Sequence, residues 1–380
     1  LIASPLYQNN NQSVDFVRMT NRNASTDIDA AFFNPAGLMF MKDKGLFFQF
    51  NNQFIAQKRR TTDSSNDQRT YIGNGENAVY EGDAFTWSYP SFYLVYKDNQ
   101  MAFYGHLGFV GAGASALYKD GLPGLNKFAL TSAHVKLSAL GETLSSYKSD
   151  NEVNAFAVFM GVTAGMSYAI MPNLSVSLGT RFIYAVQETK LKMNFIEING
   201  SGGSTLVDLR NNDGSFTDVD IHSIAHGKSF GFIGNVAYKL SDKILFTLRY
   251  EIYTNLDLKN EKPKKFDVPD NLLKDFEENF AEDVSVRKTL PSSLSFGWSY
   301  VINPFRIEID AGYYFNKLAD LGKDNAGREI SDFYEDSYGF GLSVEYFLSK
   351  SVTLSMGGGY HSDPRTRLSR TEAEYNPPSY

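Results

Sequence analysis

Long stretches of this sequence alternate apolar and other residues with a period of two. Between residues 244 and 253 every even position is apolar, whereas the odd positions include Thr247, Arg249 and Glu251. The same alternation recurs in three further stretches, at residues 174–186, 294–302 and 338–348. A period of two places the two sets on opposite faces of a β-strand. The chain is therefore predicted to be all-β.

Strand length and aromatic placement separate a membrane barrel from a soluble sandwich, which also alternates. The stretches here run roughly ten residues or more, as a tilted bilayer crossing requires, whereas soluble strands usually have ~5–6 residues. Tyr184, Tyr238, Tyr253 and Tyr346 stand at strand ends, where barrels carry aromatic girdles. No apolar run approaches the ~18 residues of a membrane helix. We therefore expect a transmembrane antiparallel β-barrel.

The connections between strands are alternately short and long. Short turns are predicted at residues 98–100, 171–173, 241–243, 303–305 and 349–351. Long polar connections are predicted around residues 60–85, 114–153, 195–226, 257–288 and 317–334. Bacterial outer-membrane barrels have short periplasmic turns and long external loops. We therefore expect the long connections to be extracellular.

About eleven strands are predicted in this chain. They lie near residues 45–58, 86–97, 101–113, 154–170, 174–194, 227–240, 244–256, 289–302, 306–316, 335–348 and 352–361. Single-chain bacterial barrels close with an even number of strands. The odd count therefore predicts that the sequence ends before the barrel closes, after an external stretch at 362–378, with C-terminal strands missing.

Residues 1–44 do not alternate and are predicted to form a hatch inside the lumen, ahead of a barrel over 45–380. Their motif is Asn34-Pro35-Ala36-Gly37. Asn-Pro favours a turn, and glycine permits close backbone approach. The alternative is an exposed, flexible terminus, which would leave Phe32 and Phe33 in water.

The Asn34-Pro35-Ala36-Gly37 motif, the long strands and the alternating connections together resemble the FadL-type family of outer-membrane transporters of long-chain fatty acids and other hydrophobic compounds. The resemblance implies about fourteen strands in the complete barrel. It also implies passive transport of hydrophobic small molecules such as fatty acids, by capture, lumen binding and lateral release. The partners would be that ligand and the lipid of a Gram-negative outer membrane, and the barrel would be monomeric. The hatch is shorter than is usual in the family.

Two alternative functions stay open. In the first, the chain is a barrel of this family that acts as a subunit or scaffold of a surface-protein export complex, and a stable protein partner is expected. A general porin would instead have an open, ion-conducting lumen.

The third strand is rich in glycine, with Gly108, Gly111 and Gly113 close together. Glycine in a strand marks a bulge, a bend or a close approach. The resemblance implies that these three residues form a kink that opens the wall sideways. The alternative is that they lie beside an aromatic side chain or face the hatch.

The alternation also predicts which side chains line the lumen. The candidates for ligand binding are Phe47, Tyr104, His106, Phe159, Arg181, Arg249 and Phe347. An apolar wall with one or two cations suits a fatty acid, and Arg181 and Arg249 would supply the charge. In the alternative interpretation Arg249 pairs with Glu251 and only neutralises the interior.

Two long connections have helical periodicity, at residues 125–146 and 270–281. The apolar residues proposed for capture of ligand are Leu137, Leu140, Leu144, Leu273, Phe276 and Phe280. Either they line a surface groove between the loops, or the two helices pack on each other and cap the barrel.

Composition excludes several other functions. The chain has no Cys, which excludes a disulfide scaffold, a thiolate metal site and a cysteine nucleophile. Its net charge of −7 argues against a nucleic-acid partner. His222 and His226 have metal-ligand spacing only on a helix, yet a strand pattern begins beside them. No catalytic residue, metal site or cofactor is predicted.

Overall fold

The fold is one antiparallel β-sheet, seen in a computed structural model that describes residues 12–213, 216–268, 276–323, 327–349 and 351–362. Eleven strands of these residues pair in the order β1-β2-β3-β4-β5-β6-β7-β11-β12-β13-β14. They are β1 (Gly45–Asp63), β2 (Ala78–Lys97), β3 (Met101–Tyr118), β4 (Leu144–Met171), β5 (Leu174–Gly200), β6 (Val219–Ser241), β7 (Ile244–Tyr253), β11 (Ser292–Ile302), β12 (Phe305–Phe315), β13 (Ser337–Phe347) and β14 (Thr353–His361). There are also three short strands, β8 (Asp257–Asn260), β9 (Lys265–Asp267) and β10 (Ser285–Arg287). β8 and β9 pair with the long-loop end of β6, and β10 pairs with β8.

The two faces of the sheet have the reverse of the polarity found in a soluble protein. On β7 the polar side chains of Thr247, Arg249 and Glu251 are buried, whereas Leu248 and Tyr250 are exposed. Most other strands repeat this arrangement, and their exposed apolar positions carry Phe, Leu, Tyr, Ile, Val and Met, whereas β14 is exposed along nearly its whole length. An apolar outer face is expected where lipid rather than water surrounds the sheet.

The buried face surrounds an N-terminal segment, residues 12–41. This segment contains α1 (Val14–Arg18), α2 (Ala30–Phe33) and a 3₁₀ helix at Pro35–Phe40. Its hydrogen-bond partners on the sheet are Asn51 of β1, Ser91 of β2, Ser167 of β4, Ser175 of β5, Asn235 of β6, Thr247 of β7, Asp310 of β12 and Ser343 of β13. One short segment reaches strands from both ends of the sheet because the sheet curls around it.

The predicted strands agree with the structure to within one residue at the short-turn ends. At the long-loop ends β1 to β6 were predicted too short, whereas β7, β11, β12 and β13 were predicted one to three residues too long. β2 begins at residue 78 rather than 86, β4 at 144 rather than 154, and β6 at 219 rather than 227. In the extensions of β4 and β6 the outward positions are mainly polar, such as Lys148, Asp150 and Asp220, as expected beyond the lipid. The apolar alternation therefore disappears from the sequence while the pairing continues.

The long connections are folded. They contain α3 (Asn66–Tyr71), α4 (Pro123–Ala139), α5 (Leu206–Asp213) and a helical turn at residues 276–280. Their apolar side chains form one buried cluster with the extensions of β4, β5 and β6, which we call the loop core. In the described residues, no helix combines the length and apolarity needed to span a membrane.

Close backbone contact at Gly297 gives a test of where the N-terminal segment lies. A Cβ atom at Gly297 would lie 2.5 Å from the carbonyl carbon of Asn23 and 2.7 Å from the nitrogen of Ala24. In a Cys-free chain, Ala24→Cys is therefore expected to be protected from thiol reagents, and adding Gly297→Val is expected to expose it. The measurement is the labelling rate in detergent.

The matched control for this test is Gly358→Val, since a Cβ at Gly358 meets nothing within 4 Å. Equal labelling of the Ala24→Cys thiol in the Gly297→Val and Gly358→Val backgrounds would contradict the packing of the segment on β11.

Candidate ligand path and lumen site

The Asn34-Pro35-Ala36-Gly37 motif anchors the N-terminal segment to the sheet. The Asn34 side chain folds across Gly37 and donates to the Ser25 carbonyl oxygen over 2.9 Å. A Cβ at Gly37 would lie 2.1 Å from Asn34 Nδ2, so this contact requires glycine.

The backbone polar groups of this motif are satisfied by inward side chains of three strands. Ser167 of β4 donates to the Pro35 carbonyl oxygen and Ser175 of β5 to that of Ala36, each over 2.7 Å. The amide nitrogen of Ala36 donates to Asn235 Oδ1 of β6 over 2.6 Å. The motif therefore fixes one end of the segment near the short-turn end of the sheet.

A buried ion cluster lies in the middle of the lumen. Arg181 Nη1 is 3.0 Å from Glu251 Oε2, and Arg249 Nε is 3.4 Å from Glu251 Oε1. Tyr253 bridges the cluster: its hydroxyl donates to Glu251 and accepts from Arg181, both over 2.6 Å. Both candidate cations thus have a carboxylate partner within the protein.

Aromatic side chains surround this cluster. Tyr104, His106 and Phe159 are buried on the inner face, and Phe47 packs against the hydrophobic cluster that contains Tyr104, Phe159 and Phe32. Neither ring nitrogen of His106 has a hydrogen-bond partner in the described part of the chain. Phe347 is half-buried on the inner face at the short-turn end of β13.

Pairing between β2 and β3 is interrupted beside this cluster. Residues 82–83 pair with 117–118 and residues 92–97 with 102–107, but residues 84–91 have no partner on β3. Side chains satisfy some of the freed groups. The Phe109 carbonyl oxygen accepts from the Tyr89 hydroxyl over 3.3 Å and from the Gln12 side-chain amide.

Gln12 of the N-terminal segment occupies this interruption. Its own carbonyl oxygen accepts hydrogen bonds from the Ser91 hydroxyl and, over 3.1 Å, from the Tyr93 hydroxyl. The start of the segment is therefore bound to both strands that border the interruption.

The glycines of β3 lie at the same place. Pairing of β3 with β4 shifts register at Val110 and at Gly113. A Cβ at Gly108 would lie 2.5 Å from Gln12 Oε1, and one at Gly111 would lie 2.8 Å from the Phe159 ring. The side-chain surroundings of Gly113 fall outside the described residues.

A cavity of about 280 Å³ lies between the N-terminal segment and the inner face of β7 and β11–β14. Phe16, Phe33, Arg249, Asp310 and Tyr314 are among its lining residues. Of the lumen residues predicted from sequence, only Arg249 lines it. The signal that sequence reasoning missed is a set of inward glycines on these strands, which line the cavity at 312, 339, 341 and 359.

Residues 17–372 match the family described as outer membrane protein transport protein (OMPP1/FadL/TodX). The chain belongs to this family. No curated protein matches the sequence. Solved structures share its β-barrel fold. A FadL homologue of Pseudomonas aeruginosa is 14% identical over 93% of this chain and 80% of its own, with a TM-score of 0.60.

Two further structures are similar. The toluene transporter TbuX of Ralstonia pickettii is 12% identical over 89% of this chain and 82% of its own, with a TM-score of 0.56. The toluene transporter TodX of P. putida is 13% identical over 89% of this chain and 80% of its own, with a TM-score of 0.55. The predicted transmembrane barrel and its outer-membrane location are confirmed.

Membership of the OMPP1/FadL/TodX family orients the barrel, because outer-membrane barrels have short turns in the periplasm. We therefore expect the loop core to be extracellular. Leu137, Leu144, Phe276 and Phe280 are buried in it, and Phe128 of α4 contacts Phe276 edge to face at 6.1 Å. Leu140 is 52% exposed, and Leu273 lies outside the described residues.

The loop helices thus pack on each other, and a preformed groove between them is not seen in the described residues. Helix α4 ends at Ala139, not near 146, and Leu144 begins β4. His222 and His226 lie on β6 and pair with Glu188 and Glu261. In the described residues, no three His, Asp or Glu side chains form a metal-binding group.

Removal of Glu251 should leave two buried arginines without a countercharge. Breaking a buried pair on one side costs about 3–5 kcal/mol. We expect Glu251→Gln to lower the free energy of unfolding in detergent by that amount, measured by thermal or denaturant unfolding of the barrel.

The control is Glu261→Gln, because Glu261 is 60% exposed in its pair with His226 and such pairs contribute less than about 1 kcal/mol. Similar losses for the two variants would show that the lumen cluster is not a buried network.

The carboxylate of Glu142 ties two extracellular loops together. A hydrogen bond from the Ser204 hydroxyl, with others from the amides of Gly202 and Ser204, lowers the pKa of Glu142 below its ordinary value. A lowered pKa stabilises the tie above the unfolded value of about 4.3 and weakens it as the pH falls through the folded value.

We therefore expect protection of the amides of Gly202 and Ser204 at neutral pH, and its loss as the pH falls below the ordinary glutamate value of about 4.3. Hydrogen exchange, corrected for intrinsic rates, is the measurement. Glu142→Ala, which removes the acceptor, should lack the protection throughout, whereas Glu76→Ala, at an exposed site, should behave like the wild type. Protection that does not change with pH would refute this role of Glu142.

Proposed function

We propose that this protein is a passive outer-membrane channel for hydrophobic small molecules, with fatty acids and small aromatic compounds as the two ligand classes. Ligand is captured at the extracellular loops, enters the lumen and leaves sideways between β2 and β3. Membership of the family supports transport as the activity. The toluene transporters with the same fold make aromatic compounds the second class.

The observation that carries this proposal is the interrupted pairing between β2 and β3. In a bilayer each unpaired backbone polar group costs several kcal/mol, so a break in the ladder persists only where protein groups replace the lost partners. Tyr89 and Gln12 are such groups. In this proposal the break is the side route, and the hydrogen bonds of Tyr89 and Gln12 stabilise it.

The N-terminal segment acts as the hatch in this proposal. Its residue Gln12 binds to Ser91 and Tyr93 on one side of the interruption and to Phe109 on the other. Movement of Gln12 away from these partners opens the part of the route that the structure describes, while the Asn34–Gly37 motif holds the rest of the described segment.

The lumen stage uses the inner face beside the interruption. Tyr104, His106 and Phe159 give this face an apolar, aromatic surface. A mostly apolar wall with few polar groups is typical of a site for a small hydrophobic ligand.

The capture stage uses the loop core. Leu137, Leu144, Phe276 and Phe280 are packed together there, so the loops have to part before a ligand reaches these side chains. Leu140 is the one of these capture residues that is exposed at the surface within the described chain.

Larger residues at Gly108 and Gly111 should block the side route. A valine at 108 would take the place of the Gln12 side chain in the route and, being on β3, could not move away with the hatch, and a valine at 111 competes with Phe159 for space. We expect uptake of labelled fatty acid or toluene by cells producing Gly108→Val/Gly111→Val to fall to that of cells without the protein.

Gly234→Val is the control, since a Cβ at Gly234 meets nothing within 4 Å. Insertion of each variant is checked by its resistance to unfolding in cold detergent. Unchanged uptake by a correctly inserted double variant would reject lateral release at β3.

A further inference from the structure

The ring of Phe32 lies among groups that bind aromatic rings. It is 1% exposed, on the short helix α2. The guanidinium carbon of Arg181 lies 4.8 Å from the ring centroid and that of Arg249 lies 5.6 Å from it. Both distances are within the ~6 Å of a cation–π contact. The His106 ring lies 4.8 Å away and the Phe33 ring 5.0 Å away, the latter edge to face.

The charges around this ring do not suit a carboxylate ligand. Glu251 already contacts both Arg181 and Arg249, and Tyr253 hydrogen-bonds to Glu251. An incoming carboxylate would have to displace Glu251, which is itself buried. A neutral aromatic ring would displace only Phe32, and the ion pairs would stay intact.

Space for such a ring adjoins the site. The cavity of about 280 Å³ is lined by Phe33 and Arg249, each of which also contacts Phe32. Pockets for drug-sized ligands occupy roughly 300–1,000 Å³, so this volume suits a one-ring compound. A ligand in the cavity would therefore lie next to the Phe32 ring.

Contacts also connect this ring to the interruption between β2 and β3. His106 lies between the rings of Phe32 and Tyr93, at 4.8 Å from each. The Tyr93 hydroxyl in turn donates to the carbonyl oxygen of Gln12. Displacement of Phe32 thus alters a packed row that ends at the residue occupying the side route.

We propose that Phe32 holds the place of the ligand: a neutral one-ring aromatic compound binds between Arg181, Arg249 and His106 after displacing the Phe32 ring. This deepens the proposed transport function and rests on it, because it names the ligand class as neutral aromatic rather than carboxylate. Phe32 is then a specificity-determining residue that keeps the site closed until an aromatic ring replaces it.

The experiment measures binding of three probes to purified wild type and Phe32→Ala in detergent: toluene, methylcyclohexane and octanoate. Removal of the competing ring is expected to raise toluene affinity. Two cation–π contacts should then make toluene bind about tenfold more tightly than methylcyclohexane, which has a similar shape and no π system. Octanoate affinity should stay unchanged.

Phe47→Ala is the matched control, because Phe47 is another inward phenylalanine on the same cluster and no arginine lies over its ring in the described residues. It should give no preference for toluene. Equal affinity of Phe32→Ala for toluene and methylcyclohexane, or a gain for octanoate as large as for toluene, would overturn the proposal.

Phe32→Leu covers the case in which Phe32→Ala does not insert as a folded barrel. It keeps most of the volume and loses the π system, so toluene should displace it more easily and bind about threefold more tightly than to wild type. Unchanged toluene affinity in Phe32→Leu would also overturn the proposal.

Uptake of toluene by the wild type is measured separately. Uptake without the binding gain would reject the role of Phe32 and leave transport standing. The binding gain without uptake of any probe would support the aromatic site and remove the transport function.

Discussion

Backbone hydrogen bonding in lipid is the constraint on which this structure depends. No water reaches the hydrocarbon layer, so each strand must bond to its neighbours along its membrane-spanning length. This demand explains the continuous antiparallel path and its apolar outer face. Within the described path from β1 to β14, the longest interruption of the pairing lies between β2 and β3. There Tyr89 and Gln12 replace part of the missing ladder with side-chain hydrogen bonds.

Much of the fold was predictable because lipid imposes its pattern on the sequence. Where lipid faces the sheet, alternation fixes both the strand and the direction of each side chain, and short turns such as Met171-Pro172-Asn173 fix where strands end. Beyond the lipid that pattern disappears. The extensions of β4–β6 are held by pairing and by the loop core, whose contacts join distant residues such as Leu137, Ile198 and Phe280. Contacts between residues so far apart leave no pattern in the local sequence, so these strands were predicted too short.

The sequence predicted which side chains of the candidate site face inward, but not which of them pair with each other. Alternation placed Arg181, Arg249 and His106 on the inner face, where the structure has them. It did not reveal that one carboxylate serves both arginines, since Glu251 and Arg181 are 70 residues apart. Gln12 and Phe32 belong to a segment without periodicity, so no pattern linked them to strands. The Asn-Pro-Ala-Gly motif was recognisable, yet its role depends on Ser167, Ser175 and Asn235, which look like ordinary inward polar residues.

If the Phe32 ring competes with the ligand for one site, it changes the free energy of ligand binding. A ligand that replaces Phe32 regains the contacts that Phe32 loses, so the exchange changes the free energy by only a small difference between two similar sets of contacts. Binding is then selective for ring chemistry without being tight. Passive transport needs this combination, because a site must bind strongly enough to fill and weakly enough to empty. Under the proposal above, the return of Phe32 to its two arginines would favour departure of the ligand, so the residue that closes the site would also help to empty it.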